Sequence, residues 1–90
     1  FISVTMIVSQ LKKFLFKDSI IIILIKPQFE ANKDEVDYGG VIKNIYLIPK
    51  ILDKVIKNLQ RIGLNLLVLK KSELKGKKGN QEFFAIFKLS

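Results

Sequence analysis

Histidine, cysteine and tryptophan are all absent from this chain of 90 residues. The lack of cysteine excludes a disulfide framework and any metal site built on thiolates. The lack of histidine removes the side chain that proteins use most often as a general base and as a metal ligand. We therefore expect no bound metal, and any acid–base chemistry would fall to lysine and carboxylate side chains.

Long hydrophobic runs are missing as well. The longest uninterrupted apolar run is Ile20–Ile25, whereas a membrane-spanning helix needs about 20 such residues. Lys12 and Lys13 follow an apolar start, which is the reverse of a secretory leader, in which the charges come first. These features predict a cytoplasmic protein with no stable membrane insertion. Because residue 1 is Phe rather than Met, we also expect the native start to lie further upstream.

Negative charge is scarce in this sequence. It has 8 acidic and 16 basic residues, which gives a net charge of +8, and all the basic residues except Arg61 are lysine. Such a surplus favours a polyanionic partner, and we expect RNA rather than DNA. The same lysine-rich composition is typical of proteins from AT-rich genomes, and the two interpretations are compatible.

Hydrophobic periodicity predicts the order helix, strand, helix, strand, strand in one small α/β domain. The predicted helices cover residues 4–16 and 44 or 48 to 62, and the predicted strands cover 19–25, 64–69 and 81–87, with a polar loop at 28–40. The first strand is apolar at every position, as is typical of a parallel strand covered on both faces. Its isoleucine edge would favour self-association if left open. We therefore expect the carboxyl-terminal half of a larger sheet domain.

Two short motifs are the strongest functional signals. Lys26–Glu30 reads Lys-Pro-Gln-Phe-Glu and follows directly on the first strand, where Pro27 ends the pairing. Open α/β sheets bind their ligands beyond the carboxyl ends of strands. Gly79–Phe83 reads Gly-Asn-Gln-Glu-Phe and brings Glu82 to the start of the last strand.

The two motifs, with Gly-Gly-Val-Ile-Lys-Asn at Gly39–Asn44 between them, resemble the TlyA/hemolysin A family of FtsJ-like ribosomal RNA 2′-O-methyltransferases. That family reads Lys-Pro-Gln-Phe-Glu, then Gly-Gly-Val-Val-Arg-Asp, then Ser-Pro-Ile-x-Gly-Pro-x-Gly-Asn-x-Glu-Phe. The resemblance covers essentially the whole chain at matching spacing. Glu73 and Lys77 depart from it, since they stand where the family usually has proline.

The resemblance implies a Rossmann-like sheet whose last strand is antiparallel. It also implies an enzyme that uses S-adenosylmethionine to methylate ribosomal RNA. It implies a Lys-Asp-Lys-Glu catalytic set, in which Lys26 matches the second lysine and Glu82 the glutamate. The first lysine, the aspartate, the glycine-rich cofactor loop and the amino-terminal RNA-binding domain have no counterpart here. Residues 1–90 would then be a partial methyltransferase domain that is inactive alone and carries no cofactor-binding residue.

Lys26 and Glu82 are the catalytic candidates. If the last strand lies antiparallel beside the first, its start faces the end of the first strand, so Glu82 comes within reach of Lys26. A ribose 2′-hydroxyl is a very weak acid, so a lysine could assist its deprotonation while the carboxylate orients the lysine. The alternative is a structural ion pair at a strand end.

Loop side chains complete the predicted site as substrate-binding candidates. They are Gln28, Glu30, Lys75, Lys77, Lys78 and Asn80. The lysines would make phosphate contacts that do not depend on base sequence, or would simply be solvated.

Two rival functions remain open at this point. One is a non-catalytic RNA-binding remnant, which the net charge and the missing cofactor loop favour. The other is a membrane-active hemolysin that binds anionic surfaces through its helices. The apolar stripes of the helices are better explained as core.

Overall fold

A computed structural model describes residues 3–90. Its α-helices are α1 (Val4–Leu11), α2 (Pro27–Glu30) and α3 (Ile48–Arg61), and its strands are β1 (Ile20–Ile25), β2 (Leu64–Lys71) and β3 (Phe83–Leu89). Single turns of 3-10 helix occur at Lys12–Phe14, Lys33–Glu35 and Ile45–Leu47. The predicted small α/β fold is confirmed.

The strands form one sheet in the order β1-β3-β2, with β3 antiparallel to both neighbours. On one side Ile25 pairs with Phe83 and Ile20 pairs with Lys88. On the other side Leu64 pairs with Leu89. β1 and β2 therefore run in the same direction with the last strand inserted between them, so the predicted antiparallel strand beside β1 is confirmed.

The core lies on one face of this sheet, where α1 and α3 pack. Its members come from both helices and all three strands: Val8, Ile23, Ile25, Leu52, Val55, Leu59, Leu64, Phe83, Ala85, Phe87 and Leu89. The apolar stripe of α3 is thus core, as the sequence predicts. Lys50 and Lys54 lie on the exposed side of this helix.

Proline and glycine set the ends of α3. Pro49 falls in the first turn, where its missing N–H costs no intrahelical hydrogen bond. Gly63 has a φ of 100° and donates its backbone N–H to the carbonyl of Gln60. A left-handed residue just after a helix is usually glycine, because a Cβ is disfavoured there.

Several local predictions differ from the structure. β2 covers Leu64–Lys71 rather than 64–69, and β3 covers Phe83–Leu89 rather than 81–87, so Glu82 precedes the last strand. The first helix is α-helical only to Leu11 and continues as a 3-10 turn to Phe14, a common way for a helix to end. The predicted loop at 28–40 begins with α2, because the same Pro27 that ends β1 also occupies the first helical position.

The opposite face of the sheet is uncovered within residues 3–90. Ile22 on β1, Phe84 on β3 and Val68 on β2 are all exposed there. The outer edge of β1 also has no strand partner in the described part of the chain. Whereas the sequence pattern predicts cover on both faces, residues 3–90 cover one. None of the helices in residues 3–90 is long and apolar enough to cross a membrane.

The two faces of β1 predict losses of stability of different size for the same substitution. Ile23→Ala empties a core position that is 5% exposed, and should lower the free energy of unfolding by about 2–5 kcal/mol. Ile22→Ala changes a position that is 68% exposed, and should cost about 1 kcal/mol or less, as expected for strand propensity alone. Urea denaturation followed by circular dichroism measures both. Equal losses would mean that both faces are covered in solution.

Candidate active-site pocket

A pocket of about 800 Å³ opens where β1 ends and β3 begins. Three segments line it: α2 with the turn that follows, the glycine turn near Gly40, and the loop that leads into β3. Apolar lining comes from Phe29, Ala31 and Val36, and every charged lining group except Glu82 is a lysine. The pocket therefore combines an apolar wall with a cationic rim. This combination suits an anionic ligand that also has an apolar surface.

Lys26 stands at the carboxyl end of β1. It is half-buried, and its backbone carbonyl accepts the N–H of Phe29 in the first turn of α2. Its Nζ lies 5.1 Å from the centroid of the Phe29 ring, within range of a cation–π contact. The ring therefore holds the ammonium at the pocket wall.

Glu82 lies directly before β3 and is 8% exposed. Its Oε2 accepts a hydrogen bond of 2.9 Å from Nε2 of Gln28. The salt bridges within residues 3–90 do not include Lys26 with Glu82. The two catalytic candidates thus line one pocket, with a neutral amide rather than an ion pair at the carboxylate. Their catalytic role stays a prediction.

Asn80 joins two loops beneath the pocket. Its Oδ1 accepts the backbone N–H of Ile42 at 3.0 Å, and its Nδ2 donates to the carbonyl of Gly40 at 2.9 Å. Asn80 is 7% exposed, and its two backbone partners are buried or half-buried. Both ends of its amide are therefore paired away from solvent. The sequence motif containing Asn80 thus builds the wall of the site, and a substrate contact by Asn80 stays a prediction.

The glycine turn that Asn80 holds is tight. The N–H of Asp37 donates to the carbonyl of Val41, and the N–H of Gly40 donates back to Asp37. Gly39 and Gly40 both have positive φ values, 92° and 80°, which side chains with a Cβ rarely adopt. The paired glycines in the sequence therefore supply a backbone turn at the rim.

The lysine candidates separate in space. Lys77 and Lys78 line the pocket, whereas Lys75 does not. Lys33 also lines it, from the 3-10 turn on the opposite loop. Sequence reasoning missed Lys33 because a single lysine in a polar loop carries no distinguishing pattern.

Glu30 has a different place from the one its motif suggests. Its carboxylate accepts hydrogen bonds from Oγ of Ser3 at 2.7 Å and from the N–H of Val4 at 2.9 Å. It thereby caps α1, where a negative charge also suits the helix dipole. It is not among the groups that line the pocket, so a substrate contact by Glu30 stays a prediction without support from the geometry.

The described residues contain no group of three or more His, Cys, Asp or Glu side chains that could hold a metal ion.

Comparison with known proteins assigns the family. The model of the FtsJ-like methyltransferases matches residues 1–89, so the chain belongs to the FtsJ-like methyltransferase family. Hemolysin A of Brachyspira hyodysenteriae is 39% identical over 87 residues, or 97% of this chain. The 16S/23S rRNA (cytidine-2′-O)-methyltransferase TlyA of Mycobacterium tuberculosis is 34% identical over 84 residues, or 93% of this chain.

Solved structures agree with this assignment. A protein from Streptococcus thermophilus described as a hemolysin superposes with a TM-score of 0.93 at 29% identity, covering 99% of this chain and 32% of its own length. A similarly described protein from Lactococcus lactis gives 0.89 at 33% identity, covering 97% of this chain and 41% of its own. The chain also spans about a third of the curated relatives it matches, 36% of hemolysin A and 31% of the mycobacterial TlyA.

The bridging role of Asn80 predicts a loss of stability on truncation. Asn80→Ala leaves the N–H of buried Ile42 without its acceptor, and should lower the free energy of unfolding by about 1–3 kcal/mol. Asn65→Ala removes an exposed asparagine from β2 and serves as the matched control, with an expected change of about 0.5 kcal/mol or less. Chemical denaturation measures both, and equal values for the two variants would contradict the bridge.

Proposed function

We propose that this chain supplies the ribose-handling part of an S-adenosylmethionine-dependent methyltransferase that acts on a 2′-hydroxyl of ribosomal RNA. The observation that carries the proposal is the meeting of Lys26 and Glu82 at one pocket beyond β1. The similarity to the mycobacterial TlyA, a 16S/23S rRNA (cytidine-2′-O)-methyltransferase, supports the ribose hydroxyl as the target. On this proposal, residues 1–90 are the carboxyl-terminal part of a methyltransferase domain.

Lys26 and Glu82 would divide the work at the ribose oxygen. The hydroxyl must lose its proton as the oxygen takes up a methyl group, and a positioned amine can assist that loss. Glu82 would orient the amine and the hydroxyl relative to each other. Phe29 would keep the Lys26 side chain along the pocket wall, where its Nζ already lies.

The lysines at the rim would bind the RNA backbone. Lys33 approaches from one loop and Lys77 and Lys78 from the loop opposite. Phosphate contacts of this kind fix the position of a nucleic acid without reading its sequence. The apolar wall would then face a base or the apolar edge of the ribose.

The methyl donor fits these residues poorly. S-adenosylmethionine supplies the methyl group from a cationic sulfonium, whereas four of the five charged side chains that line the pocket are lysines. The described residues also lack a glycine-rich loop that opens a helix, which is the usual nucleotide-binding device of such sheets. We therefore assign no cofactor contact to this chain and expect the cofactor to be held by sequence that it does not contain.

A second candidate function is RNA binding without catalysis. The cationic rim favours it directly, since those lysines would serve an RNA ligand whether or not methyl transfer follows. The chain alone should then bind ribosomal RNA in a strongly salt-dependent way, and no assembly that contains it should transfer a methyl group.

A hybrid enzyme tests the proposed function. The matching segment of the mycobacterial TlyA is replaced by this chain, and transfer of labelled methyl groups to ribosomal RNA is measured. We expect the hybrid to be active, and Lys26→Ala in it to lower the rate by about 100-fold or more, the usual scale of a lost acid–base group. Calorimetry should show that Lys26→Ala leaves S-adenosylmethionine binding intact.

The matched control is Lys50→Ala, which removes an exposed lysine of α3 and should leave transfer unchanged. An unchanged rate in Lys26→Ala would contradict the catalytic assignment. A hybrid that binds RNA and cofactor but transfers nothing would favour the RNA-binding function. Cofactor binding by this chain alone would contradict its assignment as a partial domain.

A further inference from the structure

Two residues meet the Glu82 carboxylate at the pocket: Gln28, which is distant in sequence, and Gly76 in the loop that leads into β3. We propose that Gln28 and Gly76 are positioning residues, which together fix the direction of the Glu82 carboxylate. The contact itself stands on geometry alone, and its use in methyl transfer rests on the proposed function.

Gln28 holds one oxygen of the carboxylate. Its Nε2 donates to Oε2 of Glu82 at 2.9 Å. The orientation of the amide is set by this bond, because the flipped amide would place its own oxygen against a carboxylate oxygen. The backbone under it is rigid, since Pro27 is buried and its carbonyl accepts the N–H of Ala31 across the turn of α2.

The oxygen of the Gln28 amide lies in an energetically unfavourable environment. Its Oε1 is buried and has no hydrogen-bond partner among residues 3–90. Buried polar atoms are normally paired, so an unpaired one calls for a specific explanation. The hydrogen bond to Glu82 is therefore the one that orients the Gln28 side chain within residues 3–90.

Gly76 leaves room for the same carboxylate oxygen. A Cβ built on Gly76 would overlap Oε2 of Glu82 and lie 3.1 Å from its Cδ. The φ of Gly76 is not in the left-handed region, unlike that of Gly79 in the same turn. A side chain at position 76 would therefore push the Glu82 carboxylate away from its present direction.

The backbone fixes Gly76 as firmly as α2 fixes Gln28. The N–H of Gly76 donates to the carbonyl of Asn80, and its carbonyl accepts the N–H of Gly79, both at 2.8 Å. The carboxylate thus meets two segments that are each held by backbone hydrogen bonds, the turn of α2 and the loop before β3. A neutral amide directs it without neutralising its charge, which leaves that charge available to Lys26 and to a bound hydroxyl.

Nuclear magnetic resonance of the full chain tests the contact without any need for activity. The reporter is the side-chain amide of Gln28 in ¹⁵N-labelled protein, assigned with Gln28→Met, which has similar length and no amide. We expect Glu82→Gln and Gly76→Ala each to move the Gln28 amide signals. Glu73→Gln, an exposed carboxylate in the same loop, should leave them in place. Unmoved signals in Gly76→Ala or in Glu82→Gln would overturn the proposal.

Exchange of the two partners tests the contact in a second way. Gln28→Glu alone sets two carboxylates against each other and should lower the melting temperature. Combining it with Glu82→Gln restores a donor opposite an acceptor and should recover most of that loss, which is the coupling expected of residues in contact. Simply additive losses would overturn the contact.

If Gln28 positions Glu82 for catalysis, replacing Gln28 in the active hybrid should change kcat and leave KM nearly unchanged. Gln28→Met should lower kcat by about 10- to 100-fold, the scale expected when a catalytic group is misplaced by about 1 Å, with little change in KM for RNA. Gln60→Met on the exposed side of α3 is the control and should change neither. A raised KM with unchanged kcat would instead make Gln28 a substrate-binding residue. If no hybrid is active while the amide signals respond as expected, the proposed function fails and the contact stands.

Discussion

The antiparallel pairing of β3 with β1 is the constraint on which the site depends. The start of β3 can face the end of β1 only if β3 runs against it and is in register. The pairing of Ile25 with Phe83 meets both conditions, and it sets Lys26 and Glu82 one residue beyond the last pair on each strand. The core secures this register, because a slip by one residue would turn the buried side of each strand to solvent.

The walls of the pocket depend on backbone geometry more than on charged groups. Asn80 ties the glycine turn to the loop before β3, and Gly76 lets that loop approach Glu82 closely. These contacts use residues with small or neutral side chains, so the lysines at the rim are left to face solvent or a ligand.

The sequence predicts the element order and the core well because both follow from hydrophobic periodicity, which is a local property. It also predicts that Lys26 and Glu82 occupy one end of the sheet, by way of topology that the family resemblance implies. It does not predict the bond from Gln28 to Glu82, nor that Glu30 caps α1. Each depends on the direction of a side chain relative to an element far away in sequence. The uncovered face around Ile22 is a similar case. An all-apolar strand predicts cover on both faces, but its sequence does not identify the segment that supplies the cover.

An engineered disulfide would test the register of β1 and β3 most directly. The chain has no cysteine, so a double variant Leu24→Cys/Phe84→Cys holds only the two thiols in question, at residues that pair directly and are both accessible. Paired residues lie about 4.5–5.5 Å apart between Cα atoms, within reach of a disulfide, whereas Ile22→Cys/Phe84→Cys is offset diagonally by about 7–8 Å. The observed register predicts that mild oxidation closes the first pair within one chain and leaves the second reduced, as read by mass spectrometry. Closure of the offset pair alone would contradict this register, since Glu82 would then lie opposite Leu24, about 7 Å back toward the start of β1 and away from Lys26 and its pocket.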